Sequence, residues 1–256
     1  MFRIATWNVN SLRVRLTHVL DWLATNQPDV LALQETKMTD DLFPVQSFEQ
    51  LGYQAIYSGQ KTYNGVALLS KLPLQSVATS FPGYADPQKR VLCATVKKIA
   101  VLNLYIPNGS EVGSEKYQYK LDWLSQLQAY ARQLLQTHTH CILLGDFNIA
   151  PTDEDVHDPV EWQGKVLCSE QERASFFNLI DAGLKDCYHL FPRQDNRFSW
   201  WDYRAAGFRR NRGLRIDHIL ADTALATHCT SCRIDVAPRK LEQPSDHAPV
   251  LAEFDI

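Results

Sequence analysis

Short apolar runs alternate along the chain with segments of helical periodicity. The run at residues 2–7 predicts a first strand. The segment after it predicts an amphipathic helix that ends near Pro28, and its apolar face is Leu16, Val19, Leu20 and Leu23. A second apolar run at 30–33 predicts a buried strand, so the chain opens with a strand–helix–strand unit.

The middle of the chain repeats this plan after further strands. Its predicted elements are strands at 65–70, 91–96 and 100–105, a tight turn at Lys97-Lys98, a long helix at 115–136 and a strand at 141–145. Two such units with extra strands between them predict two packed sheets with helices on the outside, rather than a doubly wound parallel sheet.

The last part of the chain is less regular. It predicts a loop at 151–166, a helix at 170–182, an aromatic segment at 198–203, a strand at 214–220 and a final strand after Ser245. A chain of 256 residues with 45% hydrophobic residues is long enough to bury a large core. No low-complexity segment or long charge run divides it, so we expect a single domain over residues 1–256.

Composition narrows the class of protein. The chain begins without a signal-peptide pattern and has no apolar run of membrane-spanning length, which predicts a cytoplasmic protein with no membrane partner. Its six cysteines are too widely spaced for a disulfide framework, and no second cysteine or histidine pair completes a zinc site with Cys229 and Cys232.

The net charge of −3 argues against binding nucleic acid by bulk electrostatics. It leaves room for a local basic rim around an acidic centre. The candidates for such a rim are Arg13, Arg15, Lys89, Arg90, Arg209, Arg210, Arg212 and Arg215, although clustered charges are more often a solvated face.

Polar side chains recur where the predicted strands end or begin. They are Asn8, Glu35, Tyr105, Asp146, Asn148, Asp217, Asp246 and His247. A strand held in a core fixes the direction of its last side chains, so these residues can converge on one cleft. Carboxylates and amides with few thiols form an oxygen-rich environment, which suits Mg²⁺ or Mn²⁺ better than zinc.

Their chemistry matches metal-assisted hydrolysis of a phosphate ester. Glu35 is the first candidate metal ligand, and Asp146 is the candidate base that activates water. Asp217 is expected to orient His247, whose other ring nitrogen can donate to a phosphate oxygen. Structural explanations remain for single residues, since His247 could cap the final strand, Tyr105 could be a core tyrosine and Asp217-His218 could be a surface pair.

Seven motifs together resemble the exonuclease III family of DNA repair nucleases, within the endonuclease/exonuclease/phosphatase superfamily. In chain order they are Trp7-Asn8-Val9-Asn10-Ser11-Leu12-Arg13, Leu33-Gln34-Glu35-Thr36-Lys37, Tyr105-Ile106-Pro107-Asn108-Gly109, Gly145-Asp146-Phe147-Asn148-Ile149-Ala150-Pro151, Trp200-Trp201-Asp202-Tyr203-Arg204, Gly213-Leu214-Arg215-Ile216-Asp217 and Ser245-Asp246-His247. The resemblance implies a DNase I-like four-layered α/β sandwich, in which two packed mixed β-sheets are flanked by helices. It also implies incision 5′ to abasic sites, 3′→5′ exonuclease action and cleaning of blocked 3′ ends.

The resemblance also implies roles for residues and partners. Catalysis would rest on Asp146, Asn148, Tyr105, Asp217, His247 and Asn8. Glu35, Asn8 and Asp246 would lie at the metal, which is Mg²⁺ with Mn²⁺ as a substitute. Trp200, Leu214 and Ile216 would form the pocket for a flipped sugar, with Arg90 and Arg212 also binding substrate. The partner would be double-stranded DNA with abasic sites or 3′ ends, bound by a monomer in a bacterial cytoplasm and at the nucleoid.

Two other functions stay open. An Mg²⁺-dependent phosphatase or phosphodiesterase acting on phosphoinositides or lipids would share the Glu, Gly-Asp-x-Asn and Ser-Asp-His elements. A binding module without catalysis would have replaced at least one residue among Glu35, Asp146, Asp217 and His247, and all four are present. A separate hypothesis concerns the balance between activities: the bulk of His157 restricts an internal abasic nucleotide and favours terminal substrates. Asn10 stands where some relatives have an acid, which argues against a second metal contact at this position.

Overall fold

A computed structural model describes residues 1–192, 195 and 197–256. The strands are β1 (Phe2–Asn8), β2 (Val30–Gln34), β3 (Gln54–Ser58), β4 (Val66–Ser70), β5 (Gln75–Ala78), β6 (Val91–Val96), β7 (Ile99–Tyr105), β8 (His140–Asp146), β9 (Leu184–Asp186), β10 (Trp200–Trp201), β11 (Gly213–Leu214), β12 (Asp217–Asp222), β13 (Cys229–Ile234) and β14 (Val250–Phe254). The α-helices are α1 (Leu12–Asn26), α2 (Val45–Glu49), α3 (Glu115–Thr137), α4 (Pro159–Trp162), α5 (Glu170–Asp181) and α6 (Thr223–Ala226).

Two six-stranded mixed sheets pack face to face. Sheet A has the order β13-β14-β1-β2-β4-β3, and sheet B has the order β5-β6-β7-β8-β12-β9. Helices α1 and α2 cover the outer face of sheet A, and α3 and α5 cover the outer face of sheet B. The predicted arrangement of two packed sheets flanked by helices is confirmed.

Alternating side chains build the layers of the sandwich. In β1, Ile4 faces the core between the sheets while Ala5 and Trp7 face α1. In β8, Ile142 lies in the core between the sheets and Leu143 lies under α3. These strands are buried on both faces, which explains why they appear in the sequence as continuous apolar runs.

Both predicted strand–helix–strand units are present, one in each sheet. Strands β1 and β2 run parallel with Asn8 opposite Gln34, and β7 and β8 run parallel with Tyr105 opposite Asp146. Parallel strands end at the same edge of a sheet, so their carboxyl ends deliver polar residues side by side.

Several boundaries differ from the prediction. The expected strand at 214–220 is two strands, because β11 pairs with β10 whereas β12 pairs with β8 and β9. The expected loop at 151–166 contains α4, and the pattern missed the short or half-exposed strands β3, β5, β9 and β13. The turn at Lys97-Lys98 is confirmed, with both residues in the left-handed region that a tight hairpin requires.

Two further expectations concern the cysteines and the membrane. The cysteines form no disulfide in the described part of the chain. Among the residues that the structure places, none of the helices combines the length and apolar character needed to cross a bilayer.

Candidate active site

Polar residues from both sheets meet at one end of the layer between them. Asn8 ends β1 of sheet A, Tyr105 and Asp146 end β7 and β8 of sheet B, and Asp217 begins β12. Strand β8 needs glycine just before its last residue. Gly145 has a φ of +142°, and a Cβ there would lie 1.9 Å from the carbonyl oxygen of Leu104.

Asp146 is buried and held by amide groups. Its Oδ2 accepts from Asn8 Nδ2 at 2.9 Å and from Asn148 Nδ2 at 3.3 Å, and its Oδ1 accepts from the backbone N–H of Asn148 at 2.9 Å. Burial raises the pKa of Asp146 to about 7, although the facing imidazole of His247 opposes this shift. A carboxyl group with this pKa can accept a proton near neutral pH.

His247 faces Asp146, and Asp217 holds its imidazole from the opposite side of the ring. Its Nε2 lies 3.8 Å from Asp146 Oδ2, and its Nδ1 donates to Asp217 Oδ2 at 2.8 Å. The Ser199 hydroxyl donates to the same Asp217 oxygen at 2.6 Å. Burial alone would lower the pKa of His247, but the carboxylates of Asp217 and Asp146 outweigh it and raise the pKa to about 10. The imidazole is therefore protonated at neutral pH and can donate from Nε2.

Glu35 follows β2 and completes a group of metal-binding side chains. Of the His, Cys, Asp and Glu residues that the structure describes, only Glu35, Asp146 and His247 come together as a possible site, with ligand atoms within 4.8 Å of one another. Glu35 Oε1 accepts from Asn8 Nδ2 at 2.8 Å, and Lys37 Nζ lies 2.8 Å from Oε2. Two carboxylates with amides around them fit a hard divalent cation, while His247, paired with Asp217, faces the site as a donor.

Tyr105 closes the site on the side of sheet B. Burial and the nearby Glu35 raise the pKa of the Tyr105 hydroxyl well above its usual value, so this group stays protonated and can donate. The Arg90 guanidinium lies over the Tyr105 ring, 4.5 Å from its centroid, and donates to the Tyr105 carbonyl at 3.1 Å. Glu35, Arg90 and Tyr105 line a cleft of about 600 Å³ together with Asn108.

A model of the endonuclease/exonuclease/phosphatase family matches residues 5–247. The chain belongs to this family. The match includes all of the polar residues at the strand ends described above, and it confirms the superfamily to which the sequence motifs point.

Members of the family with known names are similar over the full chain. Exodeoxyribonuclease III of Haemophilus influenzae is 38% identical, covering 98% of this chain and 99% of the relative. A solved structure of the 3′ phosphatase NExo from Neisseria, bound to a product DNA hairpin, is 46% identical with a TM-score of 0.98 and full coverage of both chains. An AP endonuclease from Archaeoglobus fulgidus is 37% identical with a TM-score of 0.95, again with full coverage of both chains.

The structure brings most of the predicted site residues together. Asn8, Glu35, Asp146 and His247 are linked by hydrogen bonds or face each other within 4 Å. Asp246 is engaged elsewhere, since its two carboxylate oxygens accept from the side chains of Asn10 and Trp200. Asn8 turns its amide nitrogen toward the carboxylates, because its oxygen accepts the backbone N–H of Asn10.

The predicted sugar pocket lies beside His247. Trp200 pairs with Leu214 across β10 and β11 and with His247 through an isolated bridge. Trp200 is partly exposed, whereas Leu214 and Ile216 are buried beneath it. Trp200 therefore provides the accessible surface, and the two aliphatic residues support it.

One expectation about the basic rim was wrong. Arg215 is only 1% exposed, and its guanidinium makes 2.7 Å ion pairs with Asp155 and Asp186. Arg215 points away from the site because it is flanked by Leu214 and Ile216, whose side chains face the opposite cluster. Arg209, Arg210 and Arg212 are exposed as expected.

Sequence reasoning missed several residues that support the site. Lys37 and Asn108 stood inside the motifs but had no assigned role, and Asn108 Nδ2 donates to Asn148 Oδ1 at 3.1 Å. Lys120 is fully buried on α3 and donates to the Asn148 carbonyl at 2.7 Å. The sequence did offer a sign of the buried position of Lys120, because this lysine lies among apolar residues on one face of the predicted helix. Nothing in the sequence marked Ser199.

Proposed function

We propose that this chain is a metal-dependent DNA repair nuclease that hydrolyses phosphodiesters at 3′ ends and at abasic sites. The similarity to exodeoxyribonuclease III, to an AP endonuclease and to a 3′ phosphatase bound to DNA supports this function over a lipid phosphatase or an inactive binding module. We also propose that the chain forms one domain and acts as a monomer in the cytoplasm. There it would act at the nucleoid, because its proposed substrate is genomic DNA.

Glu35 would hold the metal, Mg²⁺ with Mn²⁺ as a substitute, next to Asp146 and with Asn8 and Asp246 nearby. When bound, such a cation polarises a phosphate oxygen and offsets the charge that develops in the transition state. The buried carboxyl group of Asp146 beside Glu35 supports a cation at this place, because a nearby cation compensates the cost of burying a carboxylate.

Asp146 and His247 would divide the proton transfers between them. Asp146 Oδ2 would accept a proton from the attacking water, which Asn148 helps to orient, as the water oxygen bonds to phosphorus and the P–O bond to the leaving group breaks. The leaving oxygen would take its proton from solvent. His247 Nε2 donates to a phosphate oxygen on the opposite side, and the Tyr105 hydroxyl donates from sheet B. The observation that carries this proposal is the 3.8 Å approach of His247 Nε2 to Asp146 Oδ2, with both side chains buried and the imidazole paired on its other side with Asp217.

Substrate choice would depend on the loop after Asn148. His157 and Arg212 line a cavity of about 180 Å³ with Trp200 and Trp162. Arg212 Nε donates to His157 Nε2 at 3.3 Å, and Arg212 Nη2 pairs with Glu161 at 2.7 Å, so the imidazole is held in the lining of this cavity. We propose that His157 narrows the approach for an internal abasic nucleotide and favours terminal substrates.

Two end-labelled duplexes test the function. One carries an internal abasic analogue and the other a recessed 3′ end, each incubated with Mg²⁺, with Mn²⁺ and with EDTA. We expect metal-dependent trimming of the recessed end and weaker incision at the analogue. If neither duplex is cleaved with either metal, the nuclease proposal fails and phosphoinositide substrates become the next to assay.

A further inference from the structure

Three polar side chains lie one step below the active site, in the core between the sheets. We call Thr6, Gln34 and Asn103 the amide layer; all three are fully buried. Thr6 and Asn103 each precede a catalytic candidate by two residues on the same strand. They therefore face the same side as Asn8 and Tyr105, one layer deeper.

The amide layer joins the two sheets directly. Asn103 belongs to sheet B, but its Nδ2 donates to the carbonyls of Leu33 at 3.0 Å and Ala67 at 2.8 Å, which are paired residues of sheet A. Its Oδ1 accepts from Gln34 Nε2 at 2.7 Å, and Gln34 Nε2 also donates to Thr6 Oγ1 at 2.8 Å. Both donor positions of the Asn103 amide and one acceptor position are used, so this group has a single orientation.

The candidate metal site is divided between the same two sheets. Glu35 and Asn8 come from sheet A, and Asp146 comes from sheet B. Most of the side chains between the sheets are apolar, and apolar contact is non-directional, so it tolerates a small slide of one sheet over the other. Hydrogen bonds depend on distance and angle and do not tolerate such a slide.

We propose that the amide layer sets the offset between the sheets and thereby positions Glu35 against Asp146. Asn103 is then a positioning residue for the metal site. This inference rests on the proposed metal-dependent function. Its physical basis is the narrow geometry of metal ligands, whose distances vary by only about 0.2 Å, and the loss of about 10²-fold in rate when reacting groups are misplaced by about 1 Å.

The test replaces the bonded amides by apolar residues, in the double variant Gln34→Leu/Asn103→Val. This change removes both partners of the Gln34–Asn103 bond together, and with them Gln34 Oε1, which has no partner among the described residues. The Thr6 hydroxyl and the carbonyls of Leu33 and Ala67 each lose one donor, so we expect the fold to persist with a lower stability. Electron paramagnetic resonance of Mn²⁺ without DNA gives the metal Kd. We expect binding to weaken about 10-fold and kcat on the recessed duplex to fall about 10- to 100-fold, with a KM close to wild type.

Val101→Ala is the matched control. Val101 lies on the same strand and in the same core as Asn103, one layer farther from the site, and its truncation removes apolar contacts only. We expect a lower midpoint of urea unfolding and an unchanged Mn²⁺ Kd. Wild-type Mn²⁺ affinity in the double variant, or an equal loss in Val101→Ala, would overturn the proposal.

Two further variants make the result decisive. If the double variant does not fold, Thr6→Val removes one acceptor of the layer. Mn²⁺ binding weakened about two- to threefold then supports the proposal, and unchanged binding rejects it.

Glu35→Gln separates this inference from the proposed function. If Glu35→Gln leaves Mn²⁺ binding unchanged, the metal site itself is wrong and the inference falls with it. If Glu35→Gln abolishes binding while the double variant keeps it, only the amide layer is rejected.

Discussion

Sheets A and B have the same arrangement of strands but supply different chemistry. A parallel pair joined by a helix lies at the centre of each, β1 and β2 in sheet A and β7 and β8 in sheet B. The orders β13-β14-β1-β2-β4-β3 and β5-β6-β7-β8-β12-β9 correspond strand by strand. The backbone plan is repeated, so the difference between the sheets lies in the side chains at the strand ends.

Equivalent strand ends carry complementary groups. Where β1 ends in Asn8, β7 ends in Tyr105; where β2 is followed by Glu35, β8 ends in Asp146. The bonds of the site then run between the sheets, from Asn8 to Asp146 and from His247 to the Asp217 carboxylate. Neither sheet alone holds all of these side chains, so the distances between them depend on how the two sheets are placed relative to each other.

The outer cores differ as well. Under α1 and α2 the core of sheet A is apolar, whereas the helices and loops over sheet B enclose buried charges. Those charges are Lys120, Asp155, Glu172, Asp186 and Arg215. They surround the segment after β8, where Asn148 has a φ of +50° and the chain leaves the sheet. A loop that carries catalytic groups away from a strand needs polar anchors that a strand end does not.

The largest expected effect comes from replacing Asp146, the proposed base, which lies at the end of a strand of sheet B. Asp146→Asn keeps the shape and the contact with Asn8 but cannot accept the proton of water. We expect turnover to fall by about 10²–10⁴-fold or more, with DNA affinity largely kept. Single-turnover cleavage and fluorescence anisotropy measure the two quantities. Asp153→Asn, at an exposed position on the following loop, is the control, and unchanged turnover in Asp146→Asn would refute the assignment.

The buried charges of sheet B predict a large effect on stability. Arg215→Met leaves Asp155 and Asp186 buried without their cation, and we expect the free energy of unfolding at pH 7 to fall by about 3–5 kcal/mol. The exposed pair of Arg212 with Glu161 offers a matched control, since Arg212→Met should cost at most about 1 kcal/mol. Urea unfolding measures both changes.

The pH dependence of this loss has a definite sign. Burial alone would raise the pKa of Asp155 and Asp186, but Arg215 and nearby histidines lower both. The resulting stabilisation is present above the pKa of about 3.9 that these carboxyl groups have in the unfolded chain. It is lost as the pH falls through their lower pKa values in the folded protein. The difference between wild type and Arg215→Met should therefore narrow toward low pH. A constant difference from pH 7 to pH 3 would contradict the ion-pair explanation.

The hydrogen bond between His247 and Asp217 predicts a shift in the pH profile of kcat/KM. Asp217→Asn removes the carboxylate that holds the His247 pKa near 10, so the imidazolium should lose its proton at a lower pH. We expect kcat/KM at neutral pH to fall about 10²-fold and the alkaline limb of its profile to move to lower pH. A uniform loss without movement of that limb would mean that Asp217 does not act through His247.

Much of this architecture could be predicted because it depends on local patterns. The continuous apolar runs identified β1, β2, β7 and β8, and the polar residues directly after them identified Asn8, Glu35 and Asp146. The predictions that failed concerned residues whose surroundings depend on contacts between parts of the chain that are far apart in the sequence. Arg215 stood in an arginine-rich stretch, and only the fold brings Asp155 and Asp186 to it. Strands such as β3 and β13 are half exposed and gain their definition from pairing with neighbours far along the chain.

The smallest expected effect concerns the loops after the equivalent strands β2 and β8. Among the described residues, the segment after β8 lines the cavity beside Trp200 with His157, Glu161 and Trp162, whereas the loop after β2 does not reach it. We expect this difference to affect the choice of substrate and not the chemical step. His157→Gly should raise incision at an internal abasic analogue by about 10-fold, which is at the low end of the range of about 1–3 kcal/mol that one side chain in a pocket contributes to discrimination. Trimming of a recessed 3′ end should stay near wild type, and the exposed His228 gives the control His228→Gly. An unchanged ratio of incision to trimming would show that the approach to the pocket is limited elsewhere, since the substitution enlarges the cavity and leaves Asp146 and His247 in place.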